Sequence, residues 1–220
     1  MKVMKRFFTL SLLFISFSCA GQKSANEILW SGLGTKLKLN KKIRLDLEHQ
    51  VRFQKKILDY DYTFTEIGLN YKPTKKIRLA GNYRFMSYER GLRHRYALEG
   101  HYTLNPKSSN FYFHIRERFQ TFVWNDDNSS TSNIRNLFTI GFKVNSLIKI
   151  YTTQEWFYRL DKINAFKTYR GTGGITWNFS KKIMLMTYYS YQKDINSSTN
   201  KKSHIIGVRG FYKLNLSKNK

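Results

Sequence analysis

The stretch Ile43-Arg44-Leu45-Asp46-Leu47-Glu48-His49-Gln50-Val51-Arg52-Phe53-Gln54 alternates without a break. Ile43, Leu45, Leu47, His49, Val51 and Phe53 fall on one face, and Arg44, Asp46, Glu48, Gln50, Arg52 and Gln54 on the other. A period of two is the signature of a strand with two unlike faces. Outward from it, similar segments cover 28–39, 60–71, 77–89, 92–104, 111–124, 134–144, 148–160, 167–179, 183–193 and 203–214. Segment 148–160 does not declare its faces, because Tyr151, Thr153, Glu155 and Phe157 compete with Ile150, Thr152, Gln154 and Trp156. No window carries a helical period.

Turn-forming clusters separate these segments, and they differ in kind. Short ones stand at Asn40 to Lys42, Lys72 to Lys76, Asn105 to Asn110, Asn145 to Leu147 and Ser180 to Lys182. Between them fall longer ones at 55–59, 125–133, 160–166 and 194–202, with a tight exception at Glu89 to Gly91. Short turns at one end and longer loops at the other describe an antiparallel transmembrane β-barrel of about 10 to 12 strands, its short turns periplasmic and its loops external. Bacterial single-chain barrels use even strand numbers with both termini periplasmic. Ten strands are therefore expected if 28–39 does not span, and twelve if a further strand exists. Lys41-Lys42-Ile43-Arg44-Leu45 recurs as Lys75-Lys76-Ile77-Arg78-Leu79, and Lys181-Lys182-Ile183 begins a third copy, each at a short turn.

The N-terminus supports export. Lys2, Lys5 and Arg6 precede an apolar run from Phe7 to Phe17 and the small residues Ser18, Cys19, Ala20 and Gly21. This is the order of a secretory signal peptide, and the run is too short to span a bilayer as a helix. Cleavage after Ala20 or Gly21 assigns 1–21 to the signal and 22–220 to the barrel. Cys19 leaves with the signal unless it is a lipoprotein cysteine, for which the preceding Ser16, Phe17 and Ser18 lack the usual aliphatic residue. The formal charge of +25 falls to +22 once Lys2, Lys5 and Arg6 are removed. In a cytosolic protein such a charge points to nucleic acid; after export the accessible polyanions are lipopolysaccharide and anionic lipid headgroups. The expected partners are therefore outer-membrane lipid, lipopolysaccharide and the barrel-assembly machinery, with no nucleic acid.

The two basic residue types are segregated. Lysines fill the connections, whereas Arg44, Arg52, Arg78, Arg84, Arg93, Arg95, Arg116, Arg118, Arg170 and Arg209 lie on the polar faces of strands. Turned toward lipid, each would cost about 2–4 kcal/mol at the membrane midplane. They must face a lumen, where Asp46, Glu48, Glu66 and Glu99 are available to bridge several planar guanidinium groups. Aromatics crowd the strand ends and suggest two interfacial girdles: Tyr60, Tyr62, Trp124, Trp156, Tyr158 and Tyr191 near the loops, and Trp30, Tyr71, Phe111, Trp177, Phe179 and Tyr212 near the turns.

Trp30, the segment Leu45 to Phe53, the strand Gly81-Asn82-Tyr83-Arg84 and the following Arg93-His94-Arg95 resemble a known family, the Bacteroidetes-type outer-membrane barrels of domain of unknown function 2490. That resemblance implies an outer-membrane location and no assigned activity.

The candidate groups for chemistry are His49, His94, His101, His114 and His204. His101 and His114 are expected in the lumen with Glu99, without a serine or cysteine at matching depth. His49 and His94 lie on the lipid side, where a barrel enzyme acting on lipid would keep its groups. Ser203 and His204 are adjacent and must point to opposite faces. No His-x-His or carboxylate cluster suggests a metal, and Gly171 to Gly174 lies in a strand without the helix that a phosphate loop requires. The expectation is a non-enzymatic barrel without cofactor, its lumen plugged by the Arg-carboxylate network, in a structural or interaction role. The alternative is a narrow anion-preferring pore or lumenal site for a small anionic solute.

Overall fold

In a computed structural model, residues 26–216 are described except 55–56, 58, 107–108, 127–128, 162–163 and 197–199. Residues 1–21, the expected signal peptide with Cys19, lie outside the described residues. Eleven strands occupy the rest: β1 (Asn26–Lys38), β2 (Ile43–Gln54), β3 (Asp59–Tyr71), β4 (Ile77–Tyr88), β5 (Gly91–Leu104), β6 (Phe111–Trp124), β7 (Ser130–Lys143), β8 (Ile148–Arg159), β9 (Ala165–Trp177), β10 (Ile183–Asp194) and β11 (Lys202–Asn215). Each pairs antiparallel with its chain neighbour, and β1 closes the barrel against β11 in parallel.

That closure corrects the expectation of ten or twelve strands. Segment 28–39 is a full strand, paired on one side with β2 and on the other with β11 from Asn26↔Ser203 to Lys38↔Asn215. An odd number of up-and-down strands leaves the first and last running the same way, so a single parallel ladder must seal the cylinder. Its evenly spaced, slanted hydrogen bonds satisfy both edges, and no edge is left open. The ends of the first and last strands differ from that expectation as well: Asn26 starts at the loop end, and Asn215 finishes at the turn end beside Lys38, whose carbonyl accepts from the Leu216 amide at 2.9 Å.

The turn end shows why the Lys-Lys-Ile motif repeats. The side-chain oxygen of Asn40 accepts from the amides of Lys42 and Ile43, both at 2.8 Å, and Thr74 does the same for Lys76 and Ile77. Asn145 serves Leu147 and Ile148, and Ser180 serves Lys182 and Ile183. A short polar side chain caps each turn and launches the next strand at an isoleucine. At the loop end the strands reach further than expected: β7 begins at Ser130, so the proposed loop 125–133 shortens to 125–129. The tight connection between β4 and β5 depends on Gly91, whose φ of +136° a side chain would strain.

Registers give the barrel its tilt. Register partners followed from Lys38 at the turn end of β1 run through Arg44, Asn70, Ala80, Glu99, Arg118, Arg135, Phe157 and Thr168 to Asp194 at the loop end of β10. One circuit therefore climbs the wall, as strands inclined to the axis require. A second row alternates large and absent side chains on the inner face: Tyr112, Gly141, Tyr151, Gly174, Tyr188, Gly207 and Trp30. Each tyrosine ring occupies the space a Cβ would take on the next strand's glycine, Tyr112 over Gly141 and Tyr188 over Gly207. Gly174 of the Gly171 to Gly174 run sits in this row, so close packing accounts for it.

Alternation separates two surfaces. The outer one exposes Leu33 (74%), Leu98 (67%), Leu47, Ile67, Leu69, Leu79, Phe119 and Ile150. The inner one holds the buried polar residues, among them Gln50, Arg84, Arg95, Glu99, Arg118, Gln120 and Glu155. Here the polar residues fill the inside of the molecule and the apolar residues cover it.

Candidate functional site: an arginine-lined lumen

The lumen holds a cavity of about 650 Å³ whose wall includes Glu48, Arg52, Glu66, Arg84, Arg93, Arg95, Arg116, Arg118, Arg170 and Arg209. Arg44, Asp46, Arg78 and Glu99 share the inward alternation of their strands with these residues. Lys36, Arg135 and Glu155 also face inward, though sequence reasoning passed over all three. Inward cations outnumber inward carboxylates by more than two to one.

At mid-height the carboxylates organise the wall. Glu66 on β3 takes Arg84 Nε of β4 at 2.7 Å and also Arg95 of β5. These three are register neighbours in one row, so pairing directly places the carboxylate beside its cations. Glu99 takes Arg118 from β6, and His101 Nε2 donates to it at 2.6 Å. Glu155, 3% exposed, gathers most: Arg116, Arg135 at 2.8 Å and Arg170 at 3.4 Å, from three different strands. Glu48 has a single arginine, Arg209, at 3.3 Å, and accepts from Gln50 at 2.6 Å. Arg44 and Asp46 pair with each other on β2 at 2.7 Å.

Toward the turn end the histidines form a directed chain. Because His101 Nε2 donates to Glu99, its Nδ1 must accept, and it does so from Arg78 Nη2 at 2.7 Å and from His114 Nε2 at 3.3 Å. His114 Nδ1 in turn faces the Thr103 hydroxyl at 3.0 Å. On the outer face His49 lies between Thr63 and Thr65, His94 meets the Tyr83 hydroxyl at 2.8 Å, and His204 packs against Tyr189, while Ser203 is buried on the opposite side. Among the described residues no cluster of three His, Cys, Asp or Glu could hold a metal ion.

Nearer the loop end the arginines are held differently, by aromatic rings. Arg93 lies over Phe122 at 4.2 Å and Trp124 at 4.9 Å. Trp124 meets Tyr88 at 5.2 Å, which stacks on Tyr62 at 4.4 Å. Arg52 lies over Tyr62 at 5.0 Å and over Trp30 at 3.7 Å, and Arg170 covers Trp30 and Phe157 at 4.9 and 5.0 Å. Arg135 closes the series over Phe157 at 4.2 Å. This collar draws on every strand from β1 to β9; β10 supplies Gln192, which accepts from Arg170 at 3.0 Å. An aromatic face fixes a guanidinium without neutralising it. Among the described residues, neither Arg52 nor Arg93 has a carboxylate partner, and the Nε of each is buried without a hydrogen bond.

The collar also moves three proposed girdle residues. Tyr62 and Trp124 point inward, and Trp30 is both inward and near the loop end. They lie on the same strand faces as lumenal arginines, and that parity outweighs nearness to a strand end. Tyr60, Trp156, Tyr71, Phe111, Phe179 and Tyr212 are exposed at the two ends.

Two solved porins are similar to the chain. The chain matches "KdgM porin" at 10% identity, covering 73% of this chain and 81% of that one, with a TM-score of 0.47. It matches the NanC porin, solved in a rhombohedral crystal form, at 11% identity over 76% and 85%, with a TM-score of 0.51. At such identity the NanC likeness speaks for the fold alone. No curated protein matches the chain. The model of the family described as "Protein of unknown function (DUF2490)" matches residues 27–203, nearly the whole barrel, and the chain belongs to that family.

Proposed function

We propose that the protein is an outer-membrane barrel that admits small anions through its lumen, with the loop-end collar as the selective mouth. Membrane placement is supported by the outer wall, where exposed Leu33, Leu47, Ile67, Leu69, Leu79 and Leu98 make one apolar surface far larger than a soluble monomer tolerates. It is also consistent with the leader-like N-terminus. The observation that carries the anion reading is Arg52 and Arg93 held by aromatic faces and tyrosine hydroxyls, Arg52 donating to Tyr62, without a carboxylate among the described residues: their charge is not neutralised and stays available to an incoming oxyanion or halide. Likeness to a porin fold agrees with it.

A plugged barrel with a structural role is the second reading. Arg95 is 1% exposed, and the clusters on Glu66, Glu99 and Glu155 tie neighbouring strands together across the lumen. The cavity of about 650 Å³ beside those clusters favours the first. Purified protein in planar bilayers under a KCl gradient separates the two. Steady channels with a zero-current potential displaced toward that of chloride support the anion lumen; a silent barrel supports the plug.

A further inference from the structure

Two pairs of arginines stand directly opposite each other on the lumenal wall: Arg84 of β4 with Arg95 of β5, and Arg118 of β6 with Arg135 of β7. Like charges in cross-strand register destabilise a sheet. Arg116 shares the lumenal face of β6 with Arg118, and the charges acting on Arg95 include those of Arg84, Arg118 and Arg135. In this band Glu66, Glu99 and Glu155 pair with Arg84, Arg95, Arg116, Arg118, Arg135 and Arg170. Six cations less three carboxylates leave an excess of three positive charges. His101 brings no charge, because its Nδ1 accepts from Arg78. A lysine could shed its proton there; a guanidinium cannot.

The excess comes with unused donors. Of the several N–H groups on a guanidinium, Arg95 and Arg116 each give one to a carboxylate. Among the described residues the Nε of Arg95, Arg116 and Arg118 is buried without a hydrogen bond, and all three side chains line the lumenal cavity. Arg95 and Arg118 are 1% and 8% exposed, so bulk water does not supply the missing partners. Uncompensated buried charge is costly, and an anion entering from the cavity removes that cost. Guanidinium forks match paired oxygens better than a halide, and an excess of three charges favours a dianion over a monoanion. We infer that the mid-height band around Arg95, Arg116 and Arg118 is a binding site for a dianionic tetrahedral oxyanion, as in phosphate, sulfate or a phosphate ester. The inference rests on the anion lumen proposed above, which gives the ion its path, and adds the place where it stays.

The urea midpoint of the barrel in vesicles tests it, with potassium chloride replaced by millimolar potassium phosphate at constant ionic strength. The midpoint should rise and saturate. Gln120→Glu supplies the control, because Gln120 is 2% exposed, lines the cavity and accepts from Arg135 Nη1 at 3.5 Å. This isosteric change fixes a carboxylate among the surplus cations, so in chloride its midpoint should exceed that of the unmodified barrel, and its phosphate response should shrink several-fold. No saturable rise with phosphate would overturn the inference. So would an equal rise in both proteins, the mark of a general salt effect, or a Gln120→Glu barrel that assembles poorly or unfolds earlier in chloride, as a buried charge without surplus cations would. Glycerol 1-phosphate in the same titration separates the sources: half-saturation below that of phosphate identifies an ester, and above it the free ion. None of these readings needs a current. Chloride channels in bilayers without a phosphate response would remove the site and leave the anion lumen, whereas a phosphate response in a silent barrel would keep the site and remove the through-path.

Discussion

The collar and the middle of the lumen both hold arginines against the same wall, but with different forces and different consequences. At mid-height Glu66, Glu99 and Glu155 hold Arg84, Arg95, Arg118, Arg116, Arg135 and Arg170 between them and neutralise half of that charge. At the loop end Trp30, Tyr62, Phe122, Trp124 and Phe157 position Arg52, Arg93, Arg135 and Arg170 through ring faces. Carboxylates make the first region a fastening between strands that reaches Arg135 and Arg170 as well; rings alone leave the charge of Arg52 and Arg93 available. Stability should therefore concentrate in one and ion preference in the other.

The largest effect on stability is expected from Glu155→Gln, which leaves Arg116, Arg135 and Arg170 facing one another in a buried site. Removing one member of a buried ionic cluster costs about 3–5 kcal/mol, seen as a lower urea midpoint for the barrel in vesicles. Arg116→Gln should cost less, since Glu155 keeps Arg135 and Arg170. Equal losses would dissolve the distinction between hub and spoke.

Face assignment comes next. Leu47→Arg places a charge on the exposed apolar wall at about 2–4 kcal/mol, so it should block assembly, whereas Asn133→Arg opens into the cavity and should assemble. The ratio of heat-modifiable to unfolded protein in membranes reads this out. Gln50 would be a poorer lumenal control, because it is 3% exposed and packs where a side chain on Gly32 would stand. Smaller again is Glu48→Gln, with one arginine partner at 3.3 Å; its urea midpoint should fall less than that of Glu99→Gln. The smallest change in stability is expected for Arg52→Gln, within about 2 kcal/mol because it breaks ring contacts and one hydrogen bond to Tyr62 but no ion pair, although anion preference should fall.

Most strands were legible in the sequence because one residue type serves each face, and the boundaries of β2 and β6 come directly from that alternation. Parity assigned the ten arginines to one face for the same reason. What escaped depends on long-range pairing. Nothing local to 28–39 shows that it will meet β11 in parallel, so the strand number and the position of Asn26 could only follow from closure. Glu155 was hidden because both faces of β8 carry aromatics and threonines; only its pairing with Leu137 and Arg170 fixes it inward. The aromatic collar was misread for a different reason. Tyr62 lies two residues from Tyr60, yet a register shift opposite Arg52 and Phe53 turns Tyr60 out and leaves Tyr62 in. Simple alternation cannot anticipate a bulge.

The central claim is that anion preference arises at the collar, and the most direct measurement is the zero-current potential of Arg52→Gln/Arg93→Gln beside the unmodified protein under one KCl gradient. The account predicts channels in both, with the potential displaced toward that of chloride in the unmodified protein and markedly closer to zero in the variant. Identical potentials in the two proteins, or a preference for potassium in the unmodified one, would contradict it.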